Sequence, residues 1–221
     1  MIAEKSLLIT STILDSFAWY KSAPPGHWKE KATEDFKNAL NRIYTPMNED
    51  AKRGVDFENG LYRSLYLDRD TFIERHGKQC AKFFDECAGK TQQAKLQKTI
   101  EVDGQNYKLY GKADIFSPEK IIDIKTCSNW RGPEKYLDKS QHLLYITASN
   151  IPSFEYLVAV GDSIKDSVTE KMSWVVDCVI PIDASMSVEE ASNKLADRIR
   201  EFVGFLSDNK AYMDAYISVF S

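Results

Sequence analysis

The fold of this chain is decided by two short stretches, Gly111-Lys112-Ala113-Asp114-Ile115-Phe116 and Ile121-Ile122-Asp123-Ile124-Lys125-Thr126. In both, apolar residues are interrupted by single charged side chains, and the second stretch is rich in β-branched isoleucine. This pattern predicts two strands of a largely buried sheet. The two stretches are close in sequence, so the strands that they form can lie side by side.

The charged side chains of these strands are expected to meet. Side chains alternate between the two faces of a strand, so Asp123 and Lys125 share one face while Ile122 and Ile124 share the other. If Asp114 lies on the neighbouring strand facing the same side, two carboxylates and one ammonium come together at one point. Such a constellation is typical of metal-dependent phosphodiester hydrolysis.

Asp123 is the residue that argues most strongly for a functional site. It interrupts an apolar run that should be buried, and burying a carboxylate without a partner is costly. A metal ion or the Lys125 ammonium would account for it. Hard divalent cations prefer oxygen ligands, so Asp114, Asp123 and the main-chain carbonyl of Ile124 suit Mg²⁺ or Mn²⁺. The alternative, two exposed strand-edge acids with a lysine counter-ion, stays open at this point.

Composition sets limits on the class of protein. The chain has 221 residues, 43% of them hydrophobic and 28% charged, as in an ordinary globular protein. Its net charge of −4 argues against a protein that coats DNA without specificity, which needs a basic face. We find neither an apolar run of membrane-spanning length nor a signal peptide, and therefore expect a cytoplasmic protein without a membrane partner. The four cysteines show no zinc spacing and are expected to be free thiols, with an iron–sulfur cluster as a lesser alternative.

The hydrophobic periodicity predicts helices first and a sheet afterwards. Helices are expected over residues 10–20, 28–44, 49–66, 71–88, 133–149 and 188–206, with a weaker helical tail from 209. Strands are expected over residues 95–102, 107–116, 121–126, 154–160 and 173–182. The strand–helix–strand step from 121 to 160 implies a parallel pair. The chain should therefore have an α/β fold, with a central mixed sheet flanked by helices and a helical N-terminal region.

Three further side chains fit the same site. Gln141 and Tyr145 are four residues apart on a predicted helix and share one of its faces. Glu58 lies near the middle of another helix, whose apolar face includes Phe57 and Leu61. Each also has an ordinary interpretation, with Tyr145 in the core and both Gln141 and Glu58 solvated.

Taken together, these motifs resemble the PD-(D/E)xK nuclease superfamily, and within it the RecB-like branch that includes phage recombination exonucleases. The branch has a helical motif ending in His or Glu, then an Asp, then (Asp/Glu)-x-Lys, then Gln-x-x-x-Tyr. Here these correspond to residues 54–58, Asp114, 123–125 and 141–145, and residues 9–14 are similar to the branch's Ser-rich first helix. Ala113 stands where the family name has Pro. The cysteines depart from the arrangement of the iron–sulfur members.

The resemblance implies a restriction-endonuclease-like core within a single nuclease domain spanning residues 1–221. Residues 1–90 would form its helical N-terminal part, 91–160 its catalytic core, and 161–221 a C-terminal strand and helical cap. It further implies that Glu58, Asp114 and Asp123 hold one or two Mg²⁺ or Mn²⁺ ions. Lys125 would assist the attacking water, and Gln141 and Tyr145 would line the site and touch the DNA backbone.

The function predicted on this basis is a divalent-metal-dependent DNA exonuclease of phage or prophage recombination type. The alternatives are an endonuclease of restriction or repair type, and a catalytically inactive nucleic-acid-binding member of the same fold. No nucleotide-binding phosphate loop is present, so the chain has no motor of its own. The resemblance allows a single-strand annealing protein as partner and a homo-oligomer.

Contacts to DNA are expected from basic side chains near the predicted site, namely Lys112, Arg131, Lys135 and Lys139. Trp130 and Tyr136 are candidates for stacking on a base at a strand end. A solvated surface with ordinary aromatic packing is the alternative for all of them.

Overall fold

A single mixed sheet of six strands organises the chain. The computed structural model describes residues 7–44, 46–165 and 172–220. Residues 1–6, 45, 166–171 and 221, which belong to the predicted helical part and cap, lie outside the described residues. The strands are β1 (Leu7–Ile9), β2 (Thr91–Val102), β3 (Gln105–Phe116), β4 (Ile121–Cys127), β5 (Phe154–Lys165) and β6 (Met172–Asp183).

Helices cover both faces of this sheet. They are α1 (Ser11–Ser22), α2 (His27–Leu40), α3 (Glu49–Ser64), α4 (Arg69–His76), α5 (Ala81–Cys87), α6 (Glu134–Leu137), α7 (Gln141–Ser149), α8 (Val188–Asp208) and α9 (Lys210–Phe220). Buried residues of α1, α2, α6, α7, α8 and α9 pack on one face, and those of α3, α4 and α5 pack on the other. The predicted fold class, a central mixed sheet flanked by helices, is confirmed.

The strand order places an opening in the middle of the sheet. The strands follow the order β1-β3-β4-β5-β6, with β2 also paired to β3. β2 pairs with β3 along nearly its whole length, so β1 and β4 share the opposite edge of β3. β1 pairs with residues 107–109 in parallel, and β4 pairs only with Ile115 and Phe116. Beyond Ile115, β3 and β4 part, and this gap lies where Asp114 and Asp123 were expected to meet.

The predicted crossover from β4 to β5 is confirmed as a parallel pair that runs from Ile121↔Phe154 to Cys127↔Val160. The alternation predicted for β4 is also confirmed. Ile122 and Ile124 are buried in the core under α3–α5, whereas Asp123, only 1% exposed, points to the opposite side.

Two predicted helices are wrong in extent because distant groups or glycines interrupt them. The helix expected over 71–88 stops at Gly77, whose φ of 102° is a conformation that favours glycine, and a 3₁₀ turn (Lys78–Cys80) precedes α5. The helix expected over 133–149 is divided into α6 and α7. There Arg198 bonds to the Asp138 carbonyl and the Ser140 hydroxyl, and Asp15 Oδ1 accepts the Ser140 N–H.

The strands differ from the predictions at their ends. β1 was not predicted, β2 begins four residues earlier than expected, and β5 continues past residue 160 to Lys165. The helix expected to reach residue 44 ends at Leu40. In the described part of the chain, no helix is both long and apolar enough to cross a membrane. Cys80 and Cys87 are buried as free thiols in the core under α3–α5, where burial raises the pKa of both to about 12.

The extension of β5 depends on a bulge at Gly161. Val160 pairs with Cys178 but Gly161 pairs with Val176, so Asp177 is left over in β6. A Cβ atom at Gly161 would lie 1.9 Å from the Val175 carbonyl oxygen. Only glycine allows the two backbones to approach this closely.

We predict that Gly161→Ala lowers the free energy of unfolding by about 3 kcal/mol, because backbone atoms rather than a flexible side chain must move. Urea unfolding followed by circular dichroism measures the change. Gly204→Ala is the matched control: its Cβ would meet nothing within 4 Å, and it should raise stability by up to about 1 kcal/mol through helix propensity. Equal effects of the two variants would contradict the bulge argument.

Candidate active site

Asp114 occupies the point where β3 and β4 separate. Its Oδ2 accepts the Ile124 N–H at 2.8 Å, a group that would otherwise pair with the backbone of β3 if the ladder continued. Its Oδ1 accepts from the side-chain amide of Gln93 at 3.1 Å. The carboxylate therefore replaces a strand–strand hydrogen bond and holds the gap between the strands at a fixed width.

Asp123 faces Asp114 from β4 and is nearly inaccessible to solvent. Its Oδ1 accepts from Gln141 Nε2 at 2.5 Å, and Lys125 Nζ lies 2.6 Å from its Oδ2. The Lys125 ammonium is therefore the group that compensates Oδ2, which has no further hydrogen-bond partner among the residues that the structure describes. Burial raises the pKa of Asp123, against the opposing charge of Lys125. A further ligand at Oδ2 would have to share this oxygen with the Lys125 ammonium or displace it.

Lys125 is held at the site by the acids around it. Burial alone would lower the pKa of its ammonium, but the charges of Asp123 and Asp114 outweigh this and raise the pKa above its ordinary value. Lys125 is therefore a fixed cation and proton donor at neutral pH rather than a base.

Glu58 reaches the same place from α3. Its Oε1 accepts from the Tyr62 hydroxyl at 2.5 Å and from Gln93 Nε2 at 3.2 Å. Burial, followed by the nearby charge of Asp114, raises the pKa of Glu58. The solvated interpretation of Glu58 is therefore wrong, since the side chain is half-buried and turned toward Asp114.

Gln93 is a site residue that the sequence did not suggest. Its amide donates to Glu58, to Asp114 and, at 2.6 Å, to the Tyr62 hydroxyl. Its φ of 53° is unusual for a residue with a side chain, and such strain persists where surrounding contacts enforce it. No sequence signal marks this position, because it precedes the strand predicted from residue 95 and its conformation is set by contacts with other elements.

Gln141 and Tyr145 lie on one face of α7, as their spacing predicted. Gln141 bonds directly to Asp123, and Tyr145 contacts Gln141. Gln141 Nε2 also approaches the Tyr145 hydroxyl at 3.3 Å, and that hydroxyl donates to the Lys112 carbonyl at 2.9 Å. Gly111 makes room for the ring, because a Cβ there would lie 2.3 Å from Tyr145 Cε1. The interpretation of Gln141 as a solvated side chain is wrong.

The oxygen atoms at this site are of the type that a hard cation prefers, but they do not form a complete coordination sphere. Besides burial, the charge of Asp114 raises the pKa of both Glu58 and Asp123, so the three carboxylates lie close together, and carboxylate oxygen is the ligand type that Mg²⁺ or Mn²⁺ prefers. Within the described ranges, no group of three or more His, Cys, Asp or Glu side chains is positioned to hold a metal ion. The Gln93 amide donates to Glu58 and Asp114, and the Lys125 ammonium pairs with Asp123.

The predicted DNA-contacting residues lie in three different places. Lys112 lines an open cleft of about 760 Å³ next to Tyr145, together with residues of α1 and α2. Arg131 and Lys135 line a smaller depression at the end of β4, and Lys139 is exposed in the turn before α7. Lys135 Nζ lies 3.2 Å from Cys127 Sγ.

The expectation that Tyr136 stacks on a base is wrong. Its ring is 7% exposed and lies in the core, where it contacts Tyr156. Trp130 stacks on Tyr136 with ring centroids 6.0 Å apart and an interplanar angle of 20°. One face of Trp130 is therefore already covered by protein.

The chain matches no protein-family profile, and no curated protein matches its sequence. Among solved structures, it is similar to the crystal structure of SSO0001, with a TM-score of 0.48, 15% identity, and coverage of 89% of this chain and 77% of that one. It is also similar to the crystal structure of an alkaline exonuclease (LHK-Exo) from Laribacter hongkongensis, with a TM-score of 0.49, 10% identity, and coverage of 95% and 93%. These identities and TM-scores are too low to assign a function, so the function of the site is inferred from its own side chains.

We predict that Gln93→Ala lowers the free energy of unfolding in the absence of metal by about 2 kcal/mol, because Glu58 and Asp114 lose their shared donor. Gln93→Gly should be less destabilising by about 1 kcal/mol, since glycine adopts positive φ without strain. Gln97→Ala, an exposed glutamine on the same strand, is the control and should change little. Thermal melts in EDTA measure all three, and equal stabilities of the Ala and Gly variants would exclude backbone strain at residue 93.

Proposed function

We propose that the chain is a divalent-metal-dependent nuclease that hydrolyses phosphodiester bonds in DNA. The observation that carries the proposal is the buried Asp123 carboxylate, held between Lys125 and Gln141 at the gap between β3 and β4. Asp114 and Glu58 face the same gap. Carboxylates are rarely gathered in a buried gap beside a lysine unless they serve chemistry or a cation.

In this proposal, each group has a separate task. Glu58, Asp114, Asp123 and the Ile124 carbonyl would supply the oxygen ligands for one or two Mg²⁺ or Mn²⁺ ions. When bound, the metal polarises the phosphate and makes water more acidic. Gln141 fixes the rotamer of Asp123 through Oδ1, while Oδ2 faces the Lys125 ammonium and would be shared with the metal.

Lys125 acts as a cation in this reaction. Its raised pKa keeps it protonated, so it orients the water or stabilises the negative charge that develops on the phosphoryl oxygens. Tyr145 anchors Gln141 to the backbone of β3 and lines the cleft beside Lys112, where the DNA backbone would pass.

Within this proposal, we assign the chain more specifically as an exonuclease of phage or prophage recombination type. This assignment rests on the order of the four sequence motifs. A single-strand annealing partner and a homo-oligomer belong to the same assignment and stay predictions. The experiment compares an end-labelled linear duplex with a covalently closed circle in Mg²⁺, Mn²⁺ or EDTA. Metal-dependent loss of the linear DNA alone is the expected result. Cutting of the circle would make the chain an endonuclease, and no cleavage of either DNA in any metal would contradict the proposal.

We predict that Lys125→Ala reduces hydrolysis by about 10³-fold, through loss of charge stabilisation and water orientation. The same variant should lose about 2 kcal/mol of stability without metal, because Asp123 stays buried without a counter-ion. Asp123→Asn combined with Lys125→Ala should recover stability but not activity. Lys95→Ala, an exposed lysine on β2, is the control for both measurements. Retained cleavage by a folded Lys125→Ala protein would remove Lys125 from the mechanism.

A further inference from the structure

A second pocket, of about 460 Å³, lies between α3, α4 and the beginning of β6. It is formed by the side of α3 that faces away from Glu58, so it is separate from the gap between β3 and β4. Its walls include Arg53 and Arg63 of α3, Arg75 and His76 of α4, and Trp174 of β6. None of these residues has a role in the proposed hydrolysis.

Two exposed arginines line the mouth of this pocket. Arg63 and Arg75 are exposed, and neither forms a hydrogen bond or an ion pair with another residue in the described part of the chain. Asp56 and Asp68 also line the pocket, but Asp68 Oδ1 accepts the Thr71 N–H at the start of α4, which offsets part of its charge. Arg53 is already paired with Asp50 and Glu49, so the two acids balance the formal charges of Arg63 and Arg75, but the N–H groups of these two arginines have no direct partner within the described residues.

The inner wall contains two buried donors without acceptors. Trp174 is 8% exposed, and its Nε1–H finds no hydrogen-bond acceptor among the described residues. The same is true of Arg53 Nε, whose guanidinium pairs with Asp50 and Glu49 through its other nitrogens. Buried N–H groups nearly always have a hydrogen-bond acceptor. Two buried N–H groups without one, on different elements of the same pocket, therefore indicate that an acceptor from a ligand is missing.

Trp174 is held in place by His76. His76 Nδ1 lies 2.6 Å from the Trp174 carbonyl oxygen, and burial lowers the pKa of the imidazole, which keeps the ring neutral. Nδ1 is therefore assigned as the protonated nitrogen that donates to this carbonyl. The indole is thus anchored through its backbone, while its own N–H stays without a partner.

The pocket is connected to the proposed catalytic strand through Trp174. The other side of this residue lines the depression formed by Thr126, Cys127, Arg131 and Lys135. Thr126 directly follows Lys125. A ligand with regularly spaced acceptor groups that lies over this depression would extend from the end of β4 to the arginine pocket, and a nucleic-acid backbone has this chemistry.

We propose that the arginine pocket binds a backbone phosphate of the nucleic-acid strand whose other phosphate lies in the catalytic gap; this rests on the function proposed above. Arg63 and Arg75 attract the phosphate at the mouth, and Trp174 Nε1 and Arg53 Nε donate to its oxygens. Both inner donors are enclosed, so the Arg53 side chain, 29% exposed, shifts its guanidinium from Asp50 toward the ligand.

Fluorescence anisotropy of a labelled single strand of about 12 nucleotides, in EDTA, tests the pocket without cleavage. Arg63→Ala and Arg75→Ala should each weaken binding about fivefold and lower the slope of log Kd against log salt by about 0.7. Lys52→Ala, an exposed lysine on α3 outside the pocket, should do neither. Asp50→Asn should tighten binding, because it releases Arg53. Equal affinities of the arginine variants and the Lys52 control would overturn the proposal.

Trp174→Phe separates the inner donor from packing. Because the indole N–H makes no hydrogen bond in the free protein, this variant should melt within a few degrees of wild type, yet lose the stabilisation that the oligonucleotide gives. Inorganic phosphate is the second arm. If it stabilises wild type but not Trp174→Phe while oligonucleotide affinity is unchanged in all variants, the pocket takes a free anion and the nucleic-acid proposal is wrong.

The two proposals fail separately. Arginine-dependent binding of the oligonucleotide by a protein that cleaves no DNA would disprove the nuclease function and retain the pocket. Metal-dependent cleavage with no effect of Arg63, Arg75 or Trp174 on binding would disprove the pocket and retain the function.

Discussion

The burial of the Asp123 carboxylate is the constraint on which the arrangement of the site depends. An isolated charge at 1% exposure is unstable unless neighbouring groups compensate it, and Lys125 and Gln141 do so from two different elements. Gln141 is positioned by Tyr145, and Tyr145 fits only because residue 111 is glycine. One buried charge thereby fixes the relation of α7 to both β3 and β4.

The parting of β3 and β4 follows from the same chemistry. Continuous pairing of β3 and β4 would leave no space between the strands. Instead, the Asp114 side chain accepts the Ile124 N–H, and the backbone pairing ends at Ile115. Gln93 of β2 bonds to Asp114 at this gap and also to Glu58 of α3. Strand pairing is therefore interrupted at the place where the three carboxylates lie close together. Local departures from regular structure of this kind occur at functional sites.

Much of this could be predicted from the sequence because it depends on local periodicity. The faces of β4 follow from alternation alone, and the shared face of Gln141 and Tyr145 follows from helical spacing. Gln93 could not be predicted, since its positive φ and its three acceptors come from other elements. The break before α7 depends on Arg198 and Asp15, which are remote in sequence, and local helix propensity carries no information about them.

Helix α3 connects the two polar regions of the molecule. It approaches β4 closely at Gly54, where a Cβ would lie 2.7 Å from Thr126 Oγ1, so its position against the sheet is set by the absence of a side chain. From that position, Glu58 faces Asp114 on one side, and Arg53 and Arg63 face the second pocket on the other. Because a helix moves as a rigid element, any displacement of α3 alters the separation of Glu58 from Asp114 and the shape of the arginine pocket together. The glycine at residue 54 therefore constrains both.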